Sequence, residues 1–204
     1  MDRHEHYYSR NPDSRVRIHT ISESLRRHLY IFKSTTGVFS FKKIDLGTKV
    51  FLENMTIPEK SGTYLDIGCG YGPIGIVLAY SLPKSLIYLT EINKRALWCA
   101  KENVRINLPD YKNQIRFLEG SYFEPIEKKK LMFDGIFMNP PLRQGRKAFL
   151  KLCEQVPQFL NSNGTFQFVI KKKMGAPFIL EYLSKSVSDY SVEILCKRSG
   201  YWVL

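Results

Sequence analysis

The stretch Asp66-Ile-Gly-Cys-Gly-Tyr-Gly-Pro-Ile-Gly75 closes the strand-like run Tyr64 to Ile67 and opens a helical run, Pro73 to Ser81. Proline suits the first helical turn, where its fixed φ is pre-set and its missing N–H is not needed, so the helix N-terminus faces the glycine-rich turn. Glycines at such a junction let backbone amides approach a nucleotide-like ligand. The loop alone leaves that ligand open. Gly70-Tyr-Gly-Pro-Ile-Gly75 also satisfies GxGxxG, and Glu91 follows at about the 20-residue spacing of a ribose-binding acid in a dinucleotide fold. Asp66 tilts the choice: a carboxylate at the strand end compensates the ammonium of a methionyl group but repels a pyrophosphate, which favours S-adenosylmethionine over NAD.

Outward from this junction, strand and helix patterns alternate. Leu86 to Thr90 reads as strand and Lys94 to Asn107 as helix; Ile115 to Leu118 and Phe133 to Met138 read as strands, and about Gly145 to Leu160 as helix. Thr165 to Ile170 is strand-like and about Pro177 to Ser186 helical. Alternation of this kind predicts an α/β fold with a largely parallel, Rossmann-like sheet and helices on both faces. The last two strand-like runs, Val192 to Lys197 and Tyr201 to Leu204, are joined by Ser199-Gly200, a link so tight that one strand must run in reverse. Residues 1–60 carry aromatic and β-branched clusters (Tyr7-Tyr8, Val16 to Ile21, Leu29 to Phe32), then Gly37-Val-Phe-Ser40 and an amphipathic stretch from Asp45 to Met55. They read as a β-rich elaboration of short strands and one helix, packed on a core of residues 61–204. No linker or repeat divides the chain, so one compact domain is expected.

A second motif, Asn139-Pro140-Pro141-Leu142, follows the apolar strand that ends at Met138. It therefore falls at the carboxyl edge of the sheet, where open α/β folds bind ligands. An exocyclic amine is a weak nucleophile, because its lone pair is delocalised into the adjoining π system. The Asn139 side-chain oxygen and the Pro140 carbonyl can each accept one of its protons, in positions fixed by two stiff proline rings. A cationic sulfonium is already a good leaving group, so in-line alignment is the main task.

Composition narrows the partners. Hydrophobic residues make up 44% and charged residues 25%, a soluble globular mix, and no apolar run approaches membrane-spanning length. The N-terminus lacks the apolar core of a secretory signal, and Cys69, Cys99, Cys153 and Cys196 form no CxxC pair. A cytoplasmic chain with free thiols and no metal is expected. Against 19 Asp plus Glu stand 31 Lys plus Arg, a net charge of +12 that favours a polyanionic partner. Local density comes from Arg26-Arg27, Lys128 to Lys130, Lys171 to Lys173, and the Arg143, Arg146, Lys147 group beside the acceptor motif, which suits phosphate contacts.

Together, His6-Tyr-Tyr-Ser9, Gly37-Val-Phe-Ser40, Ile44-Asp-Leu-Gly47, the Asp66 to Gly72 loop, Gly120-Ser-Tyr-Phe-Glu-Pro125 and Asn139-Pro-Pro-Leu-Arg-Gln-Gly145 resemble the "methyltransferase small" family, which holds ribosomal RNA guanine-amino methyltransferases. The resemblance covers nearly the whole chain and implies a seven-stranded class I methyltransferase sheet. It implies that Asp66, Gly68, Cys69, Gly70 and Gly72 hold the methionyl part of S-adenosylmethionine, Glu91 and Ile92 the ribose, and the turn through Ser121 and Tyr122 the adenine. Asn139, Pro140, Pro141 and Leu142 would meet the target amine, with Asn139 also touching the cofactor. Ser121 stands where the family commonly has Asp, and Leu142 where amino-methylating members often have an aromatic that stacks on the base. Tyr8, Phe39 or Phe41 can supply a ring instead. The expected partner is RNA, ribosomal RNA or a ribosomal particle. Rival readings are methylation of a protein glutamine, which presents a similar planar NH2, and a non-catalytic NAD-binding module.

Overall fold

The protein is described by a computed structural model over residues 9–110, 114–141, 145–186 and 190–204. The centre of its sheet is set by burial. Strands β3 (Thr63–Ile67) and β6 (Phe133–Met138) are buried almost throughout, as parallel strands covered on both faces must be, and they pair in parallel with Tyr64 opposite Gly135. β4 (Leu86–Glu91) flanks β3, and β5 (Ile115–Glu119) forms the edge. On the other side follow β7 (Leu160–Lys171), then β9 (Tyr201–Val203) and β8 (Cys196–Arg198), for the order β5-β4-β3-β6-β7-β9-β8. β9 runs antiparallel to both its neighbours. The turn that reverses it is Ser199-Gly200, with φ of 51° and 78°, the left-handed pair that a two-residue hairpin requires.

Helices cover both faces. On one, α1 (Leu46–Asn54), α2 (Pro73–Ser81) and α3 (Lys94–Asn107) contribute to an apolar cluster that includes Phe51, Ile76, Leu78 and Ala100. On the other, a short α4 (Glu124–Glu127), α5 (Arg146–Gln155) and α6 (Ala176–Ser186) pack Ile126, Leu152 and Ile179 into a second cluster. None of the described helices is long and apolar enough to cross a membrane.

The N-terminal segment forms a two-stranded hairpin, β1 (Ile18–Leu25) and β2 (His28–Thr35), whose inward residues Ile21, Leu25, Tyr30 and Phe32 join the first cluster. Its turn is Arg26-Arg27, at φ of 49° and 64°, a conformation uncommon for arginine. Arg26 is held there because its Nη1 donates to the carbonyls of Leu52 (2.9 Å) and Met55 (3.2 Å), and its backbone N–H to Glu53 (2.8 Å). Lone-pair acceptors at the end of α1 are thereby satisfied. Arg26 thus serves the fold rather than a free basic surface.

An edge strand needs partners for its backbone, and here side chains of α3 provide them. The Asn107 amide accepts from Ile31 N–H (2.9 Å) and donates to Ile31 C=O (2.8 Å). One turn back, Asn103 does the same at Lys33 (2.6 and 2.9 Å) and also donates to the Tyr71 carbonyl at 2.8 Å. A helix repeat of four residues and a strand repeat of two bring both amides into register.

Some boundaries differ from the sequence expectation. β8 starts at Cys196 rather than Val192, because it is the sheet's outer strand and pairs with β9 only from Cys196 to Arg198. β7 extends back to Leu160 across a register shift opposite Phe133 and Gly135. The short α4, with Pro125 in its first turn, has no counterpart in the sequence expectation.

Replacing Asn103 by leucine removes the partners of two Lys33 backbone groups and the buried Tyr71 carbonyl. Urea denaturation is expected to show a loss of about 2 to 5 kcal/mol, with Asn107→Ala, at a more exposed pair, costing about 1 kcal/mol.

Candidate active site

The carboxyl ends of β3, β4 and β6, the turn after β5 and the start of α1 surround a cavity of about 450 Å³. Gly68 and Gly70 form part of its wall at φ of 65° and 57°. A Cβ at either would meet no atom within 4 Å, so both present bare backbone to open space. Gly72 and Gly75 serve packing instead: a Cβ on the first would lie 3.3 Å from Ala100 of α3, and on the second 2.8 Å from Leu89 of β4. Cys69 is buried in the same turn and borders the cavity.

Glu91, at the end of β4, also lines the cavity. One carboxylate oxygen accepts the Gly70 N–H (2.9 Å), the other the Asn93 N–H (2.8 Å). Burial raises its pKa, against the opposing effect of those amides and of Ile92. Each oxygen keeps lone-pair capacity for a hydroxyl from the cavity. Ile92, Gly120, Ser121 and Tyr122 continue this wall, with Tyr122 held at φ 43°.

Asp66 sits elsewhere than the charge argument assumed. It is fully buried beneath the turn, with one oxygen accepting the Gly75 N–H of α2 at 2.8 Å and the other without a partner among the described residues. It is not part of the cavity wall. Burial lifts its pKa to about 7, with the nearby Glu91 adding to the rise and the Gly75 N–H opposing it. Its effect on a cation in the cavity therefore acts through the intervening loop.

Asn139, Pro140 and Pro141 face the glycine turn across the same cavity, which brings together two motifs some seventy positions apart in the chain. Leu142 and Arg143 lie outside the described residues. The Asn139 side chain is turned by contacts that the sequence did not reveal: its Nδ2 donates to Thr48 Oγ1 at 2.8 Å and to Asp45 Oδ2 at 3.5 Å. Asp45 Oδ2 is also the N-cap of α1, accepting from Gly47 N–H (2.8 Å) and Thr48 N–H (3.3 Å). A carboxylate can only accept, so the amide nitrogen of Asn139 faces it and Oδ1 faces away. Among the described residues none donates to Asn139 Oδ1.

Phe39, Ser40, Asp45 and Thr48 from the N-terminal segment, and Lys171, Lys173, Met174 and Tyr201 from the opposite side, complete the lining. Phe41 and Tyr8 do not add to it: Phe41 is outside the wall and Tyr8 outside the described residues. Arg146 and Lys147 open α5, exposed and not in the wall. The Arg146 guanidinium lies 5.3 Å from the Phe178 ring centre and packs against Gly175, next to the Lys171 to Met174 turn. Two basic groups distant in sequence thus share one edge of the molecule.

A sheet of this order with one reversed strand, a glycine-backed cavity at its carboxyl ends and an acid at the end of the second parallel strand defines a class I S-adenosylmethionine-dependent methyltransferase. Bare backbone at Gly68 and Gly70 and the Glu91 carboxylate fit the amino-acid and ribose parts of that cofactor. The family model for the methyltransferase small domain matches residues 29–204, and the chain belongs to that family. It is 34% identical over 200 residues to the uncharacterised protein YbxB of Bacillus subtilis (strain 168), covering 98% of this chain and 96% of that one. It is 33% identical over 178 residues to the ribosomal RNA small subunit methyltransferase C of Haemophilus influenzae (strain PittEE), covering 85% of this chain and 50% of the relative. A similar solved structure is the T. thermophilus 16S rRNA N2 G1207 methyltransferase (RsmC) in complex with AdoMet and guanosine, with a TM-score of 0.74 at 20% identity over 93% of this chain and 50% of that one. The chain therefore spans about half the length of those two rRNA enzymes.

Because the Asp66 pKa of about 7 lies above the ordinary 3.8, the folded chain retains a proton that the unfolded chain has released between those values. Stability should fall as pH rises through this window and level off above it, with the upward shift at Glu91 acting in the same sense. Asp66→Asn is expected to flatten the dependence in urea melts across the pH series. A slope unchanged by the substitution would remove Asp66 as its source.

Proposed function

We propose that this protein methylates the exocyclic N2 amine of guanine in RNA, with ribosomal RNA as the natural acceptor. The observation that carries the reading is the fixed Asn139 side chain, whose Oδ1 is left to accept a hydrogen bond at the rim of the cofactor cavity. When bound, S-adenosylmethionine supplies an electrophilic methyl carbon on a sulfonium. Gly68, Gly70 and Glu91 would hold it and Ile92, Ser121 and Tyr122 would flank its nucleoside end, while Asp66 and Gly72 stiffen the turn from beneath. At the acceptor, Asn139 Oδ1 and the Pro140 carbonyl draw on the two amine protons and aim the nitrogen lone pair. After methyl transfer the amine would shed its surplus proton to solvent at the cavity opening, so no side chain of the wall need act as a base. Pro141 keeps the turn rigid, and Phe39 offers a ring in the cavity wall on which a base extruded from its stack can lie.

RNA is favoured over a glutamine side chain by the net charge of +12 and by the basic edge of Lys171, Lys173, Arg146 and Lys147 beside the opening. The relatives named for ribosomal RNA point the same way. The deciding experiment offers labelled cofactor to total RNA and total protein in parallel and identifies the labelled nucleoside by mass spectrometry. Label in N2-methylguanosine is expected; label in protein alone would refute the reading.

Asn139→Ala should lower methyl transfer by about 100-fold or more while cofactor affinity stays within a few-fold, since one preorganised acceptor is lost. Equilibrium cofactor binding beside a transfer assay checks this, and equal loss of both would count against it. Replacing Lys171 and Lys173 together with glutamine is expected to reduce the slope of log affinity for RNA against log salt by about 1 to 2.

A further inference from the structure

The cavity wall carries a second acceptor beside Asn139 that the sequence reading left without a role. Asp45 borders the cavity, and all of its described hydrogen bonds fall on Oδ2, which receives Gly47 N–H, Thr48 N–H and the Asn139 amide. Its Oδ1 accepts nothing from a described residue, yet it is absent from the buried unpartnered atoms. It is therefore open. Asn139 Oδ1 and Asp45 Oδ1 thus belong to two neighbouring side chains, both held at the start of α1, Asn139 by Thr48 Oγ1 (2.8 Å) and Asp45 by the Gly47 and Thr48 amides; one is an amide oxygen and the other an oxygen of a carboxylate that can only accept.

We propose that Asp45 is the residue that selects guanine. Its Oδ2 positions Asn139, and its Oδ1 accepts the N1–H that neighbours the target amine. Of the common bases, guanine alone presents a ring N–H directly beside an exocyclic NH2. Adenine and cytosine flank their amino groups with a ring acceptor, which would face the Asp45 oxygen lone pair to lone pair. A site built around a charged acceptor rejects a base lacking the matching donor more strongly than an apolar site can, because the acceptor is left desolvated and unpaired. This inference deepens the guanine N2 reading above and rests on it.

The test compares RNA transcripts that carry guanine or 2-aminopurine at the position labelled by the wild-type protein. 2-Aminopurine keeps the C2 amine but has an acceptor at N1. Asp45→Asn is the variant, since Asn caps a helix about as well as Asp. With its oxygen on the α1 amides, it turns an NH2 donor toward the cavity. Wild type is expected to methylate guanine about 10- to 100-fold faster than 2-aminopurine. In Asp45→Asn the guanine rate should fall by a similar factor and the preference shrink to parity or reverse, with cofactor affinity and Tm unchanged. The loss of O6 in 2-aminopurine is common to both proteins, so the ratio of ratios isolates Asp45. A purely structural role would slow both acceptors equally, and an unchanged ratio overturns the proposal while leaving guanine methylation intact. Label appearing in RNA adenine refutes the guanine reading and this inference together; label in protein alone refutes the RNA reading itself.

Discussion

Two buried carboxylates hold the glycine turn in place, and the geometry of the cavity depends on them. Glu91 takes the Gly70 N–H and Asp66 takes the Gly75 N–H, so both ends of the turn are tied to residues of the central strands β3 and β4. A backbone bent through three left-handed glycines at 68, 70 and 72 has little intrinsic preference for one path. The carboxylates supply that preference at the cost of burying charge, which is why the pKa of each rises. The bare backbone that a cofactor can approach is a consequence of this tie.

The wall opposite the turn is built by the N-terminal segment, and a row of polar side chains on α3 fixes that segment to the sheet. Asn93 caps α3 through Arg95 and Ala96 N–H and donates to the Gly37 carbonyl at 2.7 Å. Arg95 binds the Pro12, Ser14 and Thr36 carbonyls, and Asn103 and Asn107 complete the edge of β2. The apolar stripe of the same helix, with Leu97, Ala100 and Val104, is buried on the core. One helix therefore joins the hairpin to the sheet by directional bonds, which set the position of Phe39 and Asp45 more narrowly than apolar contact would.

Local signals in the chain carried most of the architecture. Pro73 after the glycine turn marked the start of α2 at the observed residue, and Ser199-Gly200 marked the reversed strand. These are short-range rules of dihedral preference, readable without knowing the neighbours. Burial on both sides gave β3 and β6 in the same way. What stayed hidden were meetings between distant segments. Asp45 and Asn139 lie 94 positions apart, and nothing in either local pattern states that a helix cap will turn the acceptor asparagine. The stretch from Asp45 read only as the start of an amphipathic run; its cap on α1 and its contact with Asn139 needed coordinates. Arg26 read as surface charge because its carbonyl partners belong to the end of a helix twenty-six positions on. Asp66 read as a cavity anion because its place at the strand end is legible and its inward aim is not.

Charge is distributed in two layers around this site, and each does separate physical work. Lys173, Arg146 and Lys147 are exposed, where a positive field draws a polyanion irrespective of its sequence. Inside them the wall carries acceptors: Glu91 at the cofactor end, Asp45 and Asn139 at the other. An anion in the inner layer weakens phosphate binding slightly, because screening and distance reduce its effect on the backbone. On the proposed reading, the same anion at hydrogen-bond range discriminates between base edges, where the outer lysines have no influence. On that reading attraction and selection are separated by depth, so that a small domain would hold its substrate by charge and still choose the atom it modifies by the direction of its lone pairs.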